Sequence, residues 1–250
     1  MPLPPLLGGA RAALGFLTRV PAGGATSEAE LRWAPGYFPL IGAAVGAAMA
    51  VVYTATASAG AVVAATLAVS AGMLLTGAFH EDGLADTADA LGGAYTRERV
   101  FEILKDSRIG VFGGCALVIS ISLRIALLAS LGDRAPIALI ATQCFARLPP
   151  VWLMSALSYV TANDTRRSPA FDGGPGPLML ASAITAIAAA YFDLRGWISL
   201  SELLAMGASG VSIAIICGWR FHVRAGGLTG DFLGATEQVC ECGMLLVLAL

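Results

Sequence analysis

Long apolar runs separated by short polar segments dominate the chain. Seven of them approach the roughly 20 mostly apolar residues that a helix needs to cross a bilayer. They cover residues 37–58, 60–79, 110–131, 136–159, 177–191, 197–218 and 232–250. The run at 177–191 is short and rich in alanine, so six spans are the alternative. The pattern predicts an all-α fold, a polytopic membrane helix bundle of about seven transmembrane helices that forms a single integral membrane domain over residues 1–250.

The distribution of Arg and Lys predicts the orientation of these spans. If the N-terminus is cytoplasmic, the inner segments contain eleven basic residues and the outer connections contain only Arg134 and Arg195. Cytoplasmic segments of membrane proteins are enriched in Arg and Lys. We therefore expect a cytoplasmic N-terminus and cytoplasmic loops at about residues 80–109, 160–176 and 219–231. These loops also hold most of the acidic residues, so any chemistry is expected on the cytoplasmic face.

Composition excludes two other classes of protein. The chain is 57% hydrophobic and only 13% charged, whereas soluble domains carry about 25% charged residues. A disordered chain needs low hydrophobicity and a high net charge, and the formal net charge here is -2. The same balance provides no basic surface for nucleic acid. Membrane lipid is the expected surrounding, and no nucleic-acid partner is expected.

An acidic segment, FHEDGLADTADALGG, follows the second apolar run at residues 79–93. In a helix with about 100° per residue, Asp82, Asp86 and Asp89 share one narrow face. Asp82 and Asp89 then lie roughly 10 Å apart along the axis, so two cations that share Asp86 fit the stripe and a single cation does not span it. Oxygen ligands alone favour Mg²⁺, or alternatively Mn²⁺. Glu81 projects away from Asp82 and is a metal-ligand candidate of lower rank.

A solvated acidic face is the ordinary explanation of such a cluster. Here glycine and alanine surround the carboxylates, so a bulky anionic substrate can approach them closely. The segment therefore suggests metal-assisted phosphoryl transfer on a lipid-embedded substrate, with cations that offset the charge on a leaving group. His80 is either a base or substrate contact, or it simply ends the second span.

Two further cytoplasmic segments carry candidate substrate contacts. Lys105 and Arg108 are three residues apart, and a short helix would present them on neighbouring faces to either a pyrophosphate or lipid headgroups. Residues 226–231, GGLTGD, form a flexible turn whose glycines let backbone N–H groups approach an anion. Asp231 in this turn is either another metal ligand or the group that orients an attacking hydroxyl.

The candidate catalytic residues are therefore Asp82, His80 and Asp231. In the glycine-rich turn, the candidate substrate contacts are Gly227, Thr229 and Gly230.

Four charged residues lie within the predicted spans: Arg124, Arg147, Glu237 and Glu241. A charge at the bilayer centre costs about 2.5–3.5 kcal/mol on insertion scales, so we expect all four to face the bundle interior. They either pair with one another or shape a polar substrate cavity. Arg147, Glu237 and Glu241 are candidate substrate contacts, and Arg124, which lies in the middle of its span, is expected to be structural.

Five blocks resemble the cobalamin synthase family, the cobinamide-GDP ribazoletransferases of coenzyme B12 assembly. The most distinctive block is FHEDGLADTAD at residues 79–89. The others are FLTRVP at 16–21, FPLIG at 38–42, KDSRIG at 105–110 and GGLTGDFLGA at 226–235. They occur in order across nearly the whole chain, although residues 164–176 match the family poorly.

The resemblance implies a Mg²⁺-dependent, multi-pass enzyme of the cell inner (cytoplasmic) membrane whose active site faces the cytoplasm. The family joins adenosylcobinamide-GDP to α-ribazole or its 5′-phosphate, and the products are adenosylcobalamin or its phosphate, and GMP. A ribazole hydroxyl attacks the phosphorus attached to cobinamide, and GMP leaves. The resemblance also favours substrate binding for Lys105 and Arg108. A monomer and an oligomer are both compatible with the sequence.

Two alternative functions remain open from the residues alone. A CDP-alcohol phosphotransferase of lipid synthesis uses a comparable acidic helix, but its pattern includes a second pair of aspartates that this chain lacks, and it has Arg where Asp86 stands here. An ion-coupled membrane transporter would use intramembrane carboxylates such as Glu237 for coupling.

Overall fold

The computed structural model describes residues 5–24, 26–161 and 174–250. The α-helices of this part of the chain are α1 (Pro5–Leu17), α2 (Glu28–Trp33), α3 (Phe38–Thr56), α4 (Ala61–Thr76), α5 (Phe79–Gly93), α6 (Arg97–Leu104), α7 (Val111–Leu131), α8 (Ala135–Phe145), α9 (Leu148–Ala156), α10 (Pro175–Leu194), α11 (Leu200–Ala225) and α12 (Gly230–Ala249). Within these ranges, β structure is limited to an isolated bridge between Tyr159 and Leu228. The predicted all-α fold is confirmed.

Five helical stretches of the described chain are long and apolar enough to cross a membrane. They are Glu28–Ala59, Val111–Ala156, Pro175–Leu194, Leu200–Ala225 and Gly230–Ala249. A sixth is obtained when α4 and α5, which meet at 89°, are counted as one broken span. The polytopic helix bundle is thus confirmed, whereas the number of seven spans and the cytoplasmic N-terminus stay predictions.

The longest of these stretches folds back on itself. Arg124 of α7 and Gln143 of α8 line the same small cavity. Nineteen residues of straight helix would separate them by about 28 Å, so the chain reverses direction at the 3₁₀ turn Gly132–Arg134. This reversal brings two buried arginines, one on each arm, to one level of the bundle.

Close contact between α3 and α8 forms the centre of the main core. A Cβ atom on Gly42 would overlap the carbonyl group of Gln143, and a Cβ on Gly46 would overlap that of Leu139. Glycine at both positions therefore lets the two backbones touch, as small residues do in membrane bundles. The core continues onto α4, α7 and α12 through buried Ala, Leu, Val and Met side chains.

The acidic segment forms the predicted helix, α5, and leaves α4 through a sharp bend. Gly77 and Ala78 both adopt the left-handed conformation, with φ of 71° and 56°. This conformation is strained for alanine because its Cβ approaches the following carbonyl. The bend ends the apolar helix at Thr76, so the predicted span at 60–79 is shorter than expected, and it directs α5 away at 89°.

The contact between α5 and α12 brings the acidic segment to the glycine-rich turn. A Cβ atom on Gly83 would lie 2.8 Å from the backbone oxygen of Asp231 and 3.3 Å from Cα of Gly234. Helix α11 continues through Ala225 and ends at Gly226, which has a φ of 82°. Residues 219–225 of the predicted loop 219–231 are thus helical, and only residues 226–229 connect α11 to α12; the cytoplasmic location of this segment stays a prediction. The predicted loop at 160–176 lies mostly outside the described residues.

Candidate active site

A large open cavity lies beside the first two turns of α5. Its walls include Arg19, Phe79, Glu81, Asp82, Asp86 and Ser107, and we call it the polar cavity. It encloses about 1050 Å³ of space outside protein atoms, part of which is open to solvent. Asp82 is exposed and Asp86 half-buried. Within the described ranges, neither carboxylate has a hydrogen bond or an ion pair, so both remain available to a ligand.

Asp231 approaches these two carboxylates from α12. It is half-buried and lies in the first turn of this helix. Its negative charge is close enough to repel those of Asp82 and Asp86. The structure therefore brings together three of the predicted site residues, although Asp231 is about 150 positions away from Asp82 and Asp86 in the sequence.

The three carboxylates fit a magnesium ion that is completed by other ligands. No three His, Cys, Asp or Glu side chains of residues 5–24, 26–161 and 174–250 converge as a finished metal site. Magnesium does not require one, because it usually binds one or two carboxylates, several waters and substrate phosphate oxygens. A cation beside Asp82 and Asp86 would also relieve the repulsion with Asp231. Magnesium itself stays a prediction.

Asp89 lies on the same face of α5 as Asp82 and Asp86 but has backbone partners. Its Oδ2 accepts a hydrogen bond from the N–H of Gly110 at 2.7 Å, and its Oδ1 accepts one from Gly113 at 2.9 Å. These groups form the start of α7, where free N–H groups and the helix dipole attract an anion. Asp89 thus anchors α5 to α7, and its predicted role as a metal ligand is untested.

Glu81, next to Asp82 in sequence, turns into the bundle. Its Oε1 lies 2.9 Å from Nη2 of Arg124, and Nη1 of the same guanidinium lies 3.1 Å from Oε2 of Glu241. All three side chains are at least nine-tenths buried. The expected structural pairing of Arg124 is therefore present, and it occupies one carboxylate oxygen of Glu81 and one of Glu241.

A second buried pair lies beside this one. Nη1 of Arg147 is 3.0 Å from Oε1 of Glu237, and it also donates to the side-chain oxygen of Gln143 at 2.8 Å. Gln238 donates to Glu237 at 3.0 Å and more weakly to Glu241 at 3.4 Å, which links the two pairs. We call Glu81, Glu237, Glu241, Arg124 and Arg147 the buried charge cluster.

A second pocket lies against the start of α5, on the side away from the polar cavity. We call it the apolar pocket; its walls include Phe16, Phe38, Phe79, His80, Arg147 and Glu237. Phe79 lines both the apolar pocket and the polar cavity. The two are therefore separated by little more than the first turn of α5. His80 is 5% exposed and faces this pocket, and its predicted catalytic role is untested.

The predicted geometry of Lys105 and Arg108 is wrong. Helix α6 ends at Leu104, so Lys105 caps its end and Arg108 lies in the connection to α7, and the two are not on neighbouring faces of a helix. Arg108 pairs with Asp106 at 2.6 Å, and hydrogen bonds from Arg108 lower the pKa of Asp106 to about 2. Of the predicted block, Ser107 and Ile109 line the polar cavity. The two basic side chains are exposed beside it.

The glycine-rich turn is held by backbone pairing. Leu228 donates to the carbonyl of Ser158 at 2.9 Å and accepts from the N–H of Val160 at 2.8 Å. A Cβ on Gly227 would overlap the carbonyl of Ser158. Thr229 accepts a hydrogen bond from the N–H of Phe232 at 3.3 Å and caps α12. Gly227 and Thr229 thus shape the turn, and Gly230 lines the apolar pocket; substrate binding by all three stays a prediction.

Two residues at the site were not singled out from the sequence. Arg19 packs its guanidinium on Gly77 and lines the polar cavity together with Asp82 and Asp86. Arg19 lies in the FLTRVP block at residues 16–21, and the sequence of this block alone does not indicate a role for it. Tyr159 receives a hydrogen bond from the backbone N–H of Gly230, and burial and the nearby charge of Asp231 raise the pKa of its phenol. No sequence pattern predicts a role for Tyr159, because the bridge to Leu228 that positions it is a tertiary contact.

Comparisons with known proteins identify the family of the chain. The chain is similar to proteins named adenosylcobinamide-GDP ribazoletransferase from Azorhizobium caulinodans (39% identical, covering 94% of this chain and 92% of the relative), Shewanella piezotolerans (35%, 94% and 93%) and Bradyrhizobium diazoefficiens (38%, 96% and 92%). No solved structure matches the chain. Residues 9–249 match the family described as cobalamin-5-phosphate synthase. The chain belongs to that family of membrane-embedded enzymes.

Proposed function

We propose that this protein is the transferase that joins adenosylcobinamide-GDP to α-ribazole, or to its 5′-phosphate, in cobalamin biosynthesis. One observation carries the proposal. The three blocks most similar to the family, at residues 79–89, 105–110 and 226–235, come from separate parts of the chain and meet around α5. Their convergence gives a single place where a large anionic substrate and free carboxylates come together.

The polar cavity holds the pyrophosphate of adenosylcobinamide-GDP. Arg19 supplies a cation, and the Ser107 hydroxyl supplies a hydrogen bond donor on its wall. In the reaction, a ribazole hydroxyl oxygen forms a bond to the phosphorus attached to cobinamide. The bond between that phosphorus and the bridging oxygen breaks, and GMP leaves with the electron pair. The Asp231 carboxylate accepts the hydroxyl proton, which keeps the charge balanced.

Magnesium is the proposed cofactor, with Mn²⁺ as an alternative, and Asp82 and Asp86 would hold it. When bound there, the ion would neutralise phosphate charge and stabilise the departing GMP oxygen. Arg19, which lines the same cavity, attracts the pyrophosphate directly and so helps to orient it. Repulsion from Asp231 disfavours phosphate oxygens at α12 and favours an uncharged hydroxyl there.

The proposed location is the cell inner membrane, with the polar cavity open to the cytoplasm. The charge distribution along the sequence supports this orientation, because the segment that contains Arg97, Arg99, Lys105 and Arg108 borders the cavity. A nucleotide-bearing substrate made in the cytoplasm would then reach the site without crossing the bilayer.

The test uses the full chain in lipid nanodiscs with adenosylcobinamide-GDP and α-ribazole. GMP release and cobalamin formation are followed with Mg²⁺ and then with excess EDTA. We expect equal amounts of both products with Mg²⁺ and none with EDTA. Product formation that continues in EDTA would remove magnesium from the proposal. Folded protein that forms no product, but processes a CDP-alcohol or moves ions across sealed vesicles, would overturn the proposed reaction.

A further inference from the structure

The apolar pocket has no part in the chemistry of the polar cavity, yet it lies one helical turn away. It contains about 460 Å³ of space outside protein atoms, part of which is open solvent. Three phenylalanine rings form its wall. Phe16 stacks on Phe38 with ring centres 5.8 Å apart, and it meets Phe79 edge-to-face at 5.3 Å. Flat aromatic ligands bind such walls by offset and edge-to-face contacts.

The inner end of this pocket is polar and incompletely bonded. Arg147 and Glu237 line it, and both are about 98% buried or more. Nε of Arg147 and Oε1 of Glu237 have no hydrogen-bond partner in the described part of the chain, although Oε1 is in the 3.0 Å ion pair. A buried N–H without a partner is costly. The Arg147 guanidinium and the Glu237 carboxylate therefore give this apolar pocket a charged part of its wall, to which a polar atom of a ligand would be attracted.

The rim of the pocket leads to Asp231. Gly230 and Gly234 line the pocket on either side of it. A Cβ atom on Gly230 would meet nothing within 4 Å, so open space lies in front of this residue. A ligand with a polar group attached to an aromatic base would therefore place that group beside the Asp231 carboxylate.

We propose that the apolar pocket binds the aromatic base of the ribazole substrate, with the base against Phe16, Phe38 and Phe79 and its ribose directed past Gly230 to Asp231. The inference rests on the proposed function and adds the position of the second substrate. A benzimidazole base is flat and largely apolar and has one ring nitrogen free to accept a hydrogen bond, so it fits an aromatic wall with a guanidinium beside it. The two substrates then approach α5 from opposite sides, and the reacting hydroxyl and the phosphorus meet at its first turn.

Two variants test the pocket with little risk to folding. Gly230→Ala adds a methyl group in open space at the rim, and Phe16→Ala removes a partly exposed ring. The matched control is Gly207→Ala, an exposed glycine of α11 with equally open surroundings. Ser107→Ala serves as the opposite control in the polar cavity.

The measurements are made in nanodiscs with the full chain, and KM is determined for each substrate separately. We expect Gly230→Ala and Phe16→Ala to raise the KM for α-ribazole about tenfold, which corresponds to about 1.4 kcal/mol, and to leave the KM for adenosylcobinamide-GDP within twofold. Ser107→Ala should do the reverse, and Gly207→Ala should change neither. An unchanged KM for α-ribazole in both pocket variants would overturn the assignment, as would equal increases for both substrates.

Direct binding separates this inference from the reaction itself. α-Ribazole alone is titrated into wild-type and variant nanodiscs by calorimetry, with no second substrate present. Weaker binding in the two pocket variants supports the base site even if no turnover is seen, in which case only the proposed reaction fails. Equal binding by all variants, together with a lipid acyl chain retained in the pocket by native mass spectrometry, would assign the pocket to lipid instead.

Discussion

Two acidic residues that are adjacent in α5 have opposite surroundings. Glu81 borders the polar cavity, but its carboxylate turns into the bundle, where the residue is 5% exposed and paired with Arg124. Asp82 follows it directly in sequence and faces the polar cavity, exposed and without a protein partner among the described residues. The difference follows from the surroundings, because a buried carboxylate needs a compensating charge and a solvated one does not.

This contrast separates structural acids from acids that are available for chemistry. In the buried charge cluster, three glutamates share two arginines, and the pairs link α5, α7, α9 and α12. In the polar cavity, Asp82 and Asp86 repel each other and Asp231, an arrangement that costs stability. Uncompensated repulsion of this kind is expected where a cation or a substrate supplies the missing charge.

The largest effect should come from breaking the buried charge cluster. Arg124→Met leaves Glu81 and Glu241 buried without their partner, which should cost about 3–5 kcal/mol. We expect little folded protein and a strongly lowered Tm in detergent. Arg134→Met is the control, because Arg134 is half-exposed and pairs with Glu202 near the surface, where such pairs contribute about 0–1 kcal/mol. A stable, active Arg124→Met protein would show that the cluster does not hold the bundle together.

The polar cavity should give the opposite result. Asp82→Asn and Asp86→Asn should each lower turnover about 10³-fold while preserving the fold, because neither carboxylate has a partner to lose among residues 5–24, 26–161 and 174–250. Without Mg²⁺, their Tm should equal or exceed that of the wild type since repulsion is reduced. Mg²⁺ should raise the wild-type Tm and have less effect on the variants.

Asp193→Asn, an exposed acid at the end of α10, provides the comparison for both measurements. If either cavity variant retained most of its activity at saturating Mg²⁺, the assignment of the metal to that side of α5 would be wrong.

Asp89 tests whether an acid of α5 belongs with the structural acids or with those that are available for chemistry. Because its oxygens accept the N–H groups of Gly110 and Gly113, Asp89→Ala should lower stability by about 1–2 kcal/mol, as the loss of a helix cap does. Turnover should fall less than in Asp82→Asn. A decrease in turnover as large as that of Asp82→Asn, with an unchanged Tm, would instead support Asp89 as a metal ligand.

Local spacing was enough to predict the helix at residues 79–93 and the shared face of its aspartates. These features depend only on helical periodicity, so they can be predicted from the sequence without any tertiary contact. The partners of Asp89 and Glu81 could not be predicted, because they come from α7, which is remote in sequence. The same limit applies to Tyr159, whose position depends on pairing between residues 158–160 and Leu228.

Helix ends were predicted less well than helices. Polar residues such as Arg220 and Arg224 suggested a loop, yet α11 continues past them to Gly226. Charged side chains at the end of a span can extend to the surface while the backbone remains helical. Conversely, the apolar run at 60–79 ends early at Gly77 and Ala78. No propensity favours alanine in the left-handed conformation, so only the structure reveals this bend.

The smallest effect concerns that bend, which sets the direction of α5 and so decides which acids face which side. Ala78 has a φ of 56°, a conformation that costs an L-residue roughly 1–2 kcal/mol and glycine almost nothing. Ala78→Gly should therefore stabilise the protein by about 0.5–1 kcal/mol after the greater flexibility of the unfolded chain is included, and Tm should rise slightly. Ala205→Gly, at an exposed position inside α11, is the matched control. It should destabilise the protein by up to about 1 kcal/mol, because glycine is unfavourable inside a helix. A lowered Tm in both variants would mean that Ala78 is not strained, and the two faces of α5 would then be oriented by the contacts of Glu81 and Asp89 instead of by the bend.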